Sequence, residues 1–591
     1  MSDMWSGPRE GRHQINPIYI DAGLDPSTWA RMRALRAPQD MEVVTARSEL
    51  SGYVPPGVLE PANDAIAVEM GSTERLVYPW VAQEMVGANG WVANSGECVQ
   101  SIDWVPERPD GLCSPGDQAQ EEHADYIAVG GLGPGTNDGS GMNTVLAKRD
   151  KSPGPGSIQI WRLDIDPEEG RSSRCRLDIV LLHDFGRCVA LKWCPIGMDR
   201  KAGTMGLLAA IFGDGSLRIC AVPTTRDSLH SSQLSAGTAG ERVLPGALVD
   251  PVFVRWPRRS LMETRAPHGM FTVLQWATCD VLLAGTSKGV LTVWEVGSII
   301  ANLDTAPRAA TSGPPSKLIP IANHQIHKDG PVLDLSTYCL GSKPKRQFDY
   351  KRDSSGFRQL GLSDIQVVSL GTDGRLRQIP LLFTHRSNAP LQSIPRRVLV
   401  AQAYWLSGSC IYSDADKNMR VLQYEALRWP GDPWLKSMSG NSLSRRENTD
   451  EGVRWNQRFD RHSIHVHGVH AGLLQASVSD LHPFVGLAKS DGELIVSNMN
   501  ILRVPRHNTA YYVPLYRLYM AKDHYLYEGR KPIRGEKGST RVDKSALFMP
   551  EVAVVACAWS RSPRTAHWIA SATANGLLRI ESASPVGVKV K

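Results

Sequence analysis

Apolar and polar positions in residues 206–221 (GLLAAIFGDGSLRICA) form two β-prone runs, 207–212 and 217–221, flanking Gly213-Asp214-Gly215-Ser216. Asp-Gly between such runs signals a hairpin, because glycine enters the positive-φ region that a tight turn demands. A third run, 188–194 (CVALKWC), precedes the pair and is closed by Pro195. The same pattern recurs along the chain. Ser157-Ile158-Gln159-Ile160-Trp161 follows Pro155-Gly156, and Val290-Leu291-Thr292-Val293-Trp294 follows Lys288-Gly289. Arg375-Leu376-Arg377 follows Asp373-Gly374, Glu493-Leu494-Ile495-Val496 follows Asp491-Gly492, and Leu577-Leu578-Arg579-Ile580 follows Asn575-Gly576. The turn glycines at 156, 215, 289, 374, 492 and 576 are 59, 74, 85, 118 and 84 residues apart. The 118-residue interval is too long for one unit, and residues 414–424 (DADKNMRVLQY) inside it have the shape of a degenerate copy, expected as a blade between Ala401 and Arg428. That makes seven units.

The strand ahead of each hairpin repeats too, as Ile102-Asp103-Trp104, Leu191-Lys192-Trp193, Leu274-Gln275-Trp276, Leu333-Asp334-Leu335 and Cys557-Ala558-Trp559. Apolar–polar–apolar alternation is the mark of a half-buried strand. Multi-stranded units recurring at roughly 40 residues or more predict a β-propeller of the WD-repeat type. The expected fold is therefore all-β, a seven-bladed WD40-like β-propeller with an irregular N-terminal segment and long loop insertions. Trp161-Arg162 and Trp294-Glu295 stand where the signature Trp-Asp would fall, so the copies are divergent. The expected organisation is an N-terminal segment at 1–90, the propeller at 91–583 and a tail at 584–591. Closing a ring removes exposed sheet edges. The final unit shows three strands, and 65–70 or 76–81 is expected to donate the fourth. Residues 29–35 have the pattern of one short helix.

Composition adds limits. The 591 residues include 53 glycines and 39 prolines, which suit many turns, and 16 tryptophans, which suit blade cores. The ten cysteines form no CxxC pair and there is no Asn-x-Ser/Thr acceptor. No signal-peptide core or membrane-length apolar run is found, which leads us to expect a reduced, intracellular protein. A net charge of +6 is too mild to imply nucleic acid by itself. Gly/Asp/Lys-rich 130–156, polar 224–240 and 304–316, charged 343–355 and Ser/Arg/Asn-rich 434–455 read as insertions, expected to be disordered.

Candidate chemistry is sparse. Gly285-Thr286-Ser287-Lys288-Gly289 matches G-x-S-x-G, but that motif works on a strand-to-helix turn, and a strand follows here. Ser287 is thus expected to be inert. Gly131-x-Gly133-x-Gly135 precedes no helix that would hold a phosphate. His462, His465, His467 and His470 cluster, but strand alternation splits them between two faces, so a solvated edge is favoured over a metal site. No catalytic residue, cofactor site or metal site is expected, and no small-molecule substrate or membrane partner. Lys343, Lys345, Arg346, Lys351 and Arg352 form a candidate nuclear-import segment or simply a solvated loop. Residues 503–544 hold ten basic side chains against four acidic ones, interleaved with tyrosines. Within them Arg530, Lys531, Arg534, Lys537, Arg541 and Lys544 are the candidate contact for nucleic acid or an acidic partner, the alternative being a solvated inter-blade loop.

Residues 188–195 (CVALKWCP) followed by 206–219 (GLLAAIFGDGSLRI), and 551–560 (EVAVVACAWS) followed by 567–581 (HWIASATANGLLRIE), resemble the WD-repeat propeller subunit of fungal transcription factor IIIC, also called tau. The resemblance runs from about 95 to 581 and is strongest at both ends. It implies a non-enzymatic scaffold in the nucleus, within the subcomplex that binds the B box of transfer-RNA genes and helps recruit RNA polymerase III. The implied partners are a second propeller subunit and a large DNA-binding subunit, with DNA as part of the complex. The family's basic N-terminal extension is reduced here to a short, mixed-charge one. A generic WD-repeat adaptor in another nuclear or cytoplasmic complex is the alternative.

Overall fold

The computed structural model describes most of residues 41–583. Outside the described set lie 1–40, 107–123, 132–152, 167–171, 196–202, 225–250, 298–318, 340–364, 382–389, 424–462, 465–472, 499–511, 529–551, 584–591 and a few shorter stretches, together with the side chains of 390–464 and 512–528.

The strands form seven sheets. Their innermost strands are Val99–Trp104, Cys188–Trp193, Phe271–Trp276, Val332–Cys339, Val398–Tyr404, Leu473–Val478 and Val554–Trp559. Each touches its counterpart in the next sheet, and the last returns to the first. Sheets radiating from such a ring make a β-propeller. Counted as blades with described buried faces there are six, one fewer than the expected seven. The remaining sheet occupies the expected degenerate position as a backbone ladder of Val398–Tyr404, Ser409–Asp414 and Met419–Gln423. Its fourth strand is only Ser463–Ile464, paired with Met419 and Arg420.

Blade position decides burial. Thr204–Phe212 and Ser216–Pro223 are buried at every residue, since the middle strands of a blade are covered by sheets on both sides. Leu207 and Ile219 thus share one core with Phe271 and Trp294 of the next sheet. Inner strands alternate instead, being only half-buried at Ala190 and Lys192, and at Val273 and Gln275. These positions lie on the opposite face from Leu191 and Leu274, as the two-residue period of a strand requires, with Ala190 and Val273 packed at the margins of two cores. The register corrects one repeat. Leu335 stands opposite Ser369 as Leu191 stands opposite Ala210, so Thr337, not Leu335, occupies the position of Trp193.

The closing strand is also a correction. Neither 65–70 nor 76–81 completes the last sheet; Gly90–Asn94 does, running antiparallel to Leu577–Ser582 from Leu577↔Asn94 to Glu581↔Gly90. Gly90 packs so tightly that an added Cβ would come within 2.7 Å of the Ile580 carbonyl oxygen. Trp91 donates its indole N–H to Ser172 Oγ of the first sheet at 2.9 Å. Ala82–Glu84 adds a fifth strand. Ile66–Met70 runs parallel to His524–Glu528 in the sixth sheet, with Thr73–Val77 outside it.

A strap nearer the N-terminus holds the first sheet. Val252–Arg255 leaves the second blade to pair parallel with Ser172–His183, and Val43 bridges onto it. Arg255 pairs with Glu42 at 3.3 Å and Glu49 at 3.1 Å, while Tyr53 donates to Asp184 at 2.6 Å. Leu50 and Val54 bury beside Ala93 and Leu578, spanning the seam between last and first sheets. The short helix described is Arg47–Leu50; the one expected at 29–35 lies outside the described residues. Among the described residues, no helix is long and apolar enough to cross a membrane.

Candidate functional site

The channel wall is built from a repeated cross-brace. Strands of neighbouring blades are not paired by backbone ladders, so side chains must join them. The Trp104 indole donates to the Ala558 carbonyl at 2.9 Å, Trp276 to Lys192 at 3.2 Å, and Trp559 to Ser477 at 3.0 Å. Each indole reaches the same position on the preceding inner strand. A second brace runs forward: Ser101 Oγ accepts from the Leu191 N–H at 3.2 Å, and Gln475 Oε1 from that of Cys557 at 2.6 Å. Buried indoles of this kind combine large apolar contact with one polar handle.

Charge gathers where the ring closes. Asp103 Oδ2 accepts the Trp193 N–H at 2.8 Å. Its Oδ1 faces Lys192 Nζ at 3.6 Å and Arg561 Nη2 at 3.3 Å. One buried carboxylate thereby ties the second and last sheets to the first. Thr565, in the turn before the second strand of the last sheet, donates to Asp125 of the first and adds a further tie. Buried carboxylates need such donors, since an unpaired buried charge is costly.

At the other end of the strands lie the tight corners. Ser287 sits in the turn between Val281–Thr286 and Val290–Glu295. Its Oγ accepts the Met270 N–H at 3.1 Å, so the hydroxyl latches two turns and has strands on both sides. At the next corner, His327 Nδ1 meets Asp373 Oδ1 at 3.0 Å and Nε2 meets Ser369 Oγ at 3.1 Å. Carboxylate, imidazole and hydroxyl are ordered as in a nucleophile relay. Yet His327 and Ser369 are both 0% exposed, which leaves no approach for a substrate. The arrangement is a latch. Periodicity did not single it out, because His327 comes from the passage before the fourth sheet while Ser369 and Asp373 come from its second strand and the turn after it.

His183, at the corresponding corner between the first two sheets, is buried with neither ring nitrogen hydrogen-bonded. Burial, and secondarily the Arg218 charge, lowers its pKa from 6.5 to about 3. Nearby Asp214 accepts from the Ser216 N–H at 2.8 Å and faces Arg218 at 3.5 Å. Arg218 reaches Glu263 at 2.9 Å and lies 3.6 Å above the Phe185 ring.

The residues singled out from the sequence fare unevenly. Lys343, Lys345, Arg346, Lys351 and Arg352 lie outside the described residues, as do Arg530, Lys531, Arg534, Lys537, Arg541 and Lys544, and the histidines 462, 465, 467 and 470. Among the described residues no group of three or more His, Cys, Asp or Glu side chains is placed to hold a metal ion. The described cysteines are unbridged, and burial pushes the Cys557 thiol up to about 12.

No protein-family model matches the chain. Transcription factor tau subunit sfc6 of Schizosaccharomyces pombe is 22% identical over 510 residues, covering 84% of this chain and 66% of the relative. That similarity and the propeller together fit a propeller subunit of transcription factor tau. The chain spans just under two thirds of the relative's length, at 66%.

Proposed function

We propose that the chain is a non-enzymatic scaffold subunit of a tau-type transcription factor, acting in the nucleus through contacts with other subunits. The carrying observation is similarity to a tau subunit over 84% of the chain. The braced channel wall supports a scaffold, because its buried polar groups are used to hold sheets together rather than converge on a reacting atom. By its sequence resemblance the subunit belongs to the B-box-binding half of the RNA polymerase III factor, beside a second propeller and the large DNA-binding subunit.

Affinity purification of the tagged full chain, with identification of what co-purifies, tests this reading. Recovery of other tau-type subunits is expected, and recovery of an unrelated assembly in their place sets it aside. Auxiliary contact with the DNA backbone is assigned to Arg530, Lys531, Arg534 and Lys537. Changing all four to alanine should weaken DNA association of the assembled complex and flatten its salt dependence, with little loss of sequence preference. Unchanged affinity and salt slope would leave that loop merely solvated.

A further inference from the structure

We infer that the corners joining the second, third and fourth sheets form one cationic arc that contacts the phosphate backbone of duplex DNA. Three turns meet there. Arg265 ends the outer strand of the second sheet, Lys288 tips the hairpin of the third, and Lys328 lies in the passage to the fourth. Their contiguity is fixed by the backbone. Ser287 donates its N–H to the Met270 carbonyl at 2.8 Å, and a Cβ on Gly269 would come within 3.2 Å of Lys288 Cγ. Gln325 Nε2 donates to the carbonyls of both Lys288 (2.8 Å) and His327 (2.6 Å), clamping the second turn to the third. Thr372 donates its N–H to the Pro331 carbonyl at 3.1 Å, carrying the arc to the fourth sheet.

Lys288 and Lys328 are exposed and make no ion pair among the described residues, and Arg265 is exposed with Asp214 at 3.6 Å. The carboxylates nearby are occupied within the fold: Asp214 by Arg218 and Arg265, Glu263 by Arg218, and Asp373 by His327. Asp329 adjoins Lys328 in sequence and lies outside the described residues. The large apolar side chains exposed among the described residues are Leu76, Tyr78, Ile319, Ile321 and Leu474, none of them on these turns. An acidic peptide needs an apolar anchor for affinity, whereas a phosphate backbone needs only placed cations. The choice of duplex DNA also rests on the transcription-factor reading above.

The test uses the full chain and a labelled duplex of about 30 base pairs and arbitrary sequence, titrated between about 50 and 200 mM salt. Lys288→Ala with Lys328→Ala should lower the magnitude of the log–log salt slope by about 2, one phosphate contact per lysine, and weaken low-salt binding by at least roughly fivefold. Thermal stability should not change, since both side chains are exposed, and the double variant should still co-purify with its partners. Lys288→Glu with Lys328→Glu should deepen the loss. An unchanged slope overturns the assignment, as does failure of the parent chain to bind duplex at the lowest salt. Loss of binding to polyglutamate with DNA binding intact also overturns it, in favour of an acidic protein. Loss of co-purifying partners by the parent chain would instead sink the scaffold reading.

Discussion

Two corners of this ring are built on the same plan and solved differently. His327 precedes the inner strand Val332–Cys339 by five residues, and His183 precedes Cys188–Trp193 by the same five. The ladders put Ser369 where the other blade has Ala210, and Gly371 at the strand end where it has Phe212. Gly371 leaves room for an imidazole: a Cβ there would lie 2.3 Å from His327 Nδ1. Ser369 and Asp373 then hold both ring nitrogens. At the first corner Phe212 fills that space, so His183 packs against its ring at 4.6 Å and stacks on Phe185 at 5.6 Å. Asp214 is taken up by arginines instead. Polar latching at one corner is replaced by aromatic packing at the other, and both close a turn. Which solution a corner adopts follows from the residues that end its second strand.

Four changes would sharpen or break this contrast. Gly371→Ala should be the most damaging, at about 3 kcal/mol, because the new Cβ overlaps the imidazole and displaces a buried pair; a lowered thermal midpoint is the readout, and an unchanged one would refute the crowding. His183 comes next, through pH. Its folded-state pKa of about 3 lies below 6.5, so the unfolded chain takes the proton first. The associated stability is present above about pH 6.5 and is lost as pH falls from there toward 3, a loss of about 2 kcal/mol by pH 5. His183→Phe should remove that slope at no cost near pH 7.5, since no hydrogen bond is broken. Ser369→Ala should cost about 1.5 kcal/mol by leaving a buried ring nitrogen unpartnered. Ser287→Ala should cost least, about 1 kcal/mol, for its single bond to the Met270 N–H. Unaltered reactivity toward a serine-directed fluorophosphonate in that variant would confirm that Ser287 is no nucleophile.

Much of the architecture was legible before any coordinate. Asp214-Gly215 between apolar runs marked the hairpin, which the structure closes with Gly215 at φ 79° and Ile211 opposite Leu217. Asp103, Lys192 and Gln275 were legible as the polar members of alternating strands, and Asp103 and Lys192 meet across the first two sheets. The closing strand falls at 90–94 and not at 65–70 or 76–81, the short β-prone runs expected to supply it. Propensity does not choose between two edges; the fit of Gly90 against Ile580 and the bond from Trp91 to Ser172 do. Thr337 was missed for a similar reason, since a one-turn repeat without tryptophan offers no landmark for register.

By itself the sequence determined what local chemistry can encode: strands, glycine turns, their recurrence, and therefore a ring of radiating sheets. Hairpin geometry and strand periodicity act over a few residues, so they survive even where the copies diverge. Only the tertiary structure decided which side chains meet. Asp103, Lys192 and Arg561 belong to three sheets, as do Arg265, Lys288 and Lys328, and each contributes one unremarked residue from a different part of the chain. Their charges act together only across a few ångströms, a distance that closure of the ring sets and that spacing along the chain does not record.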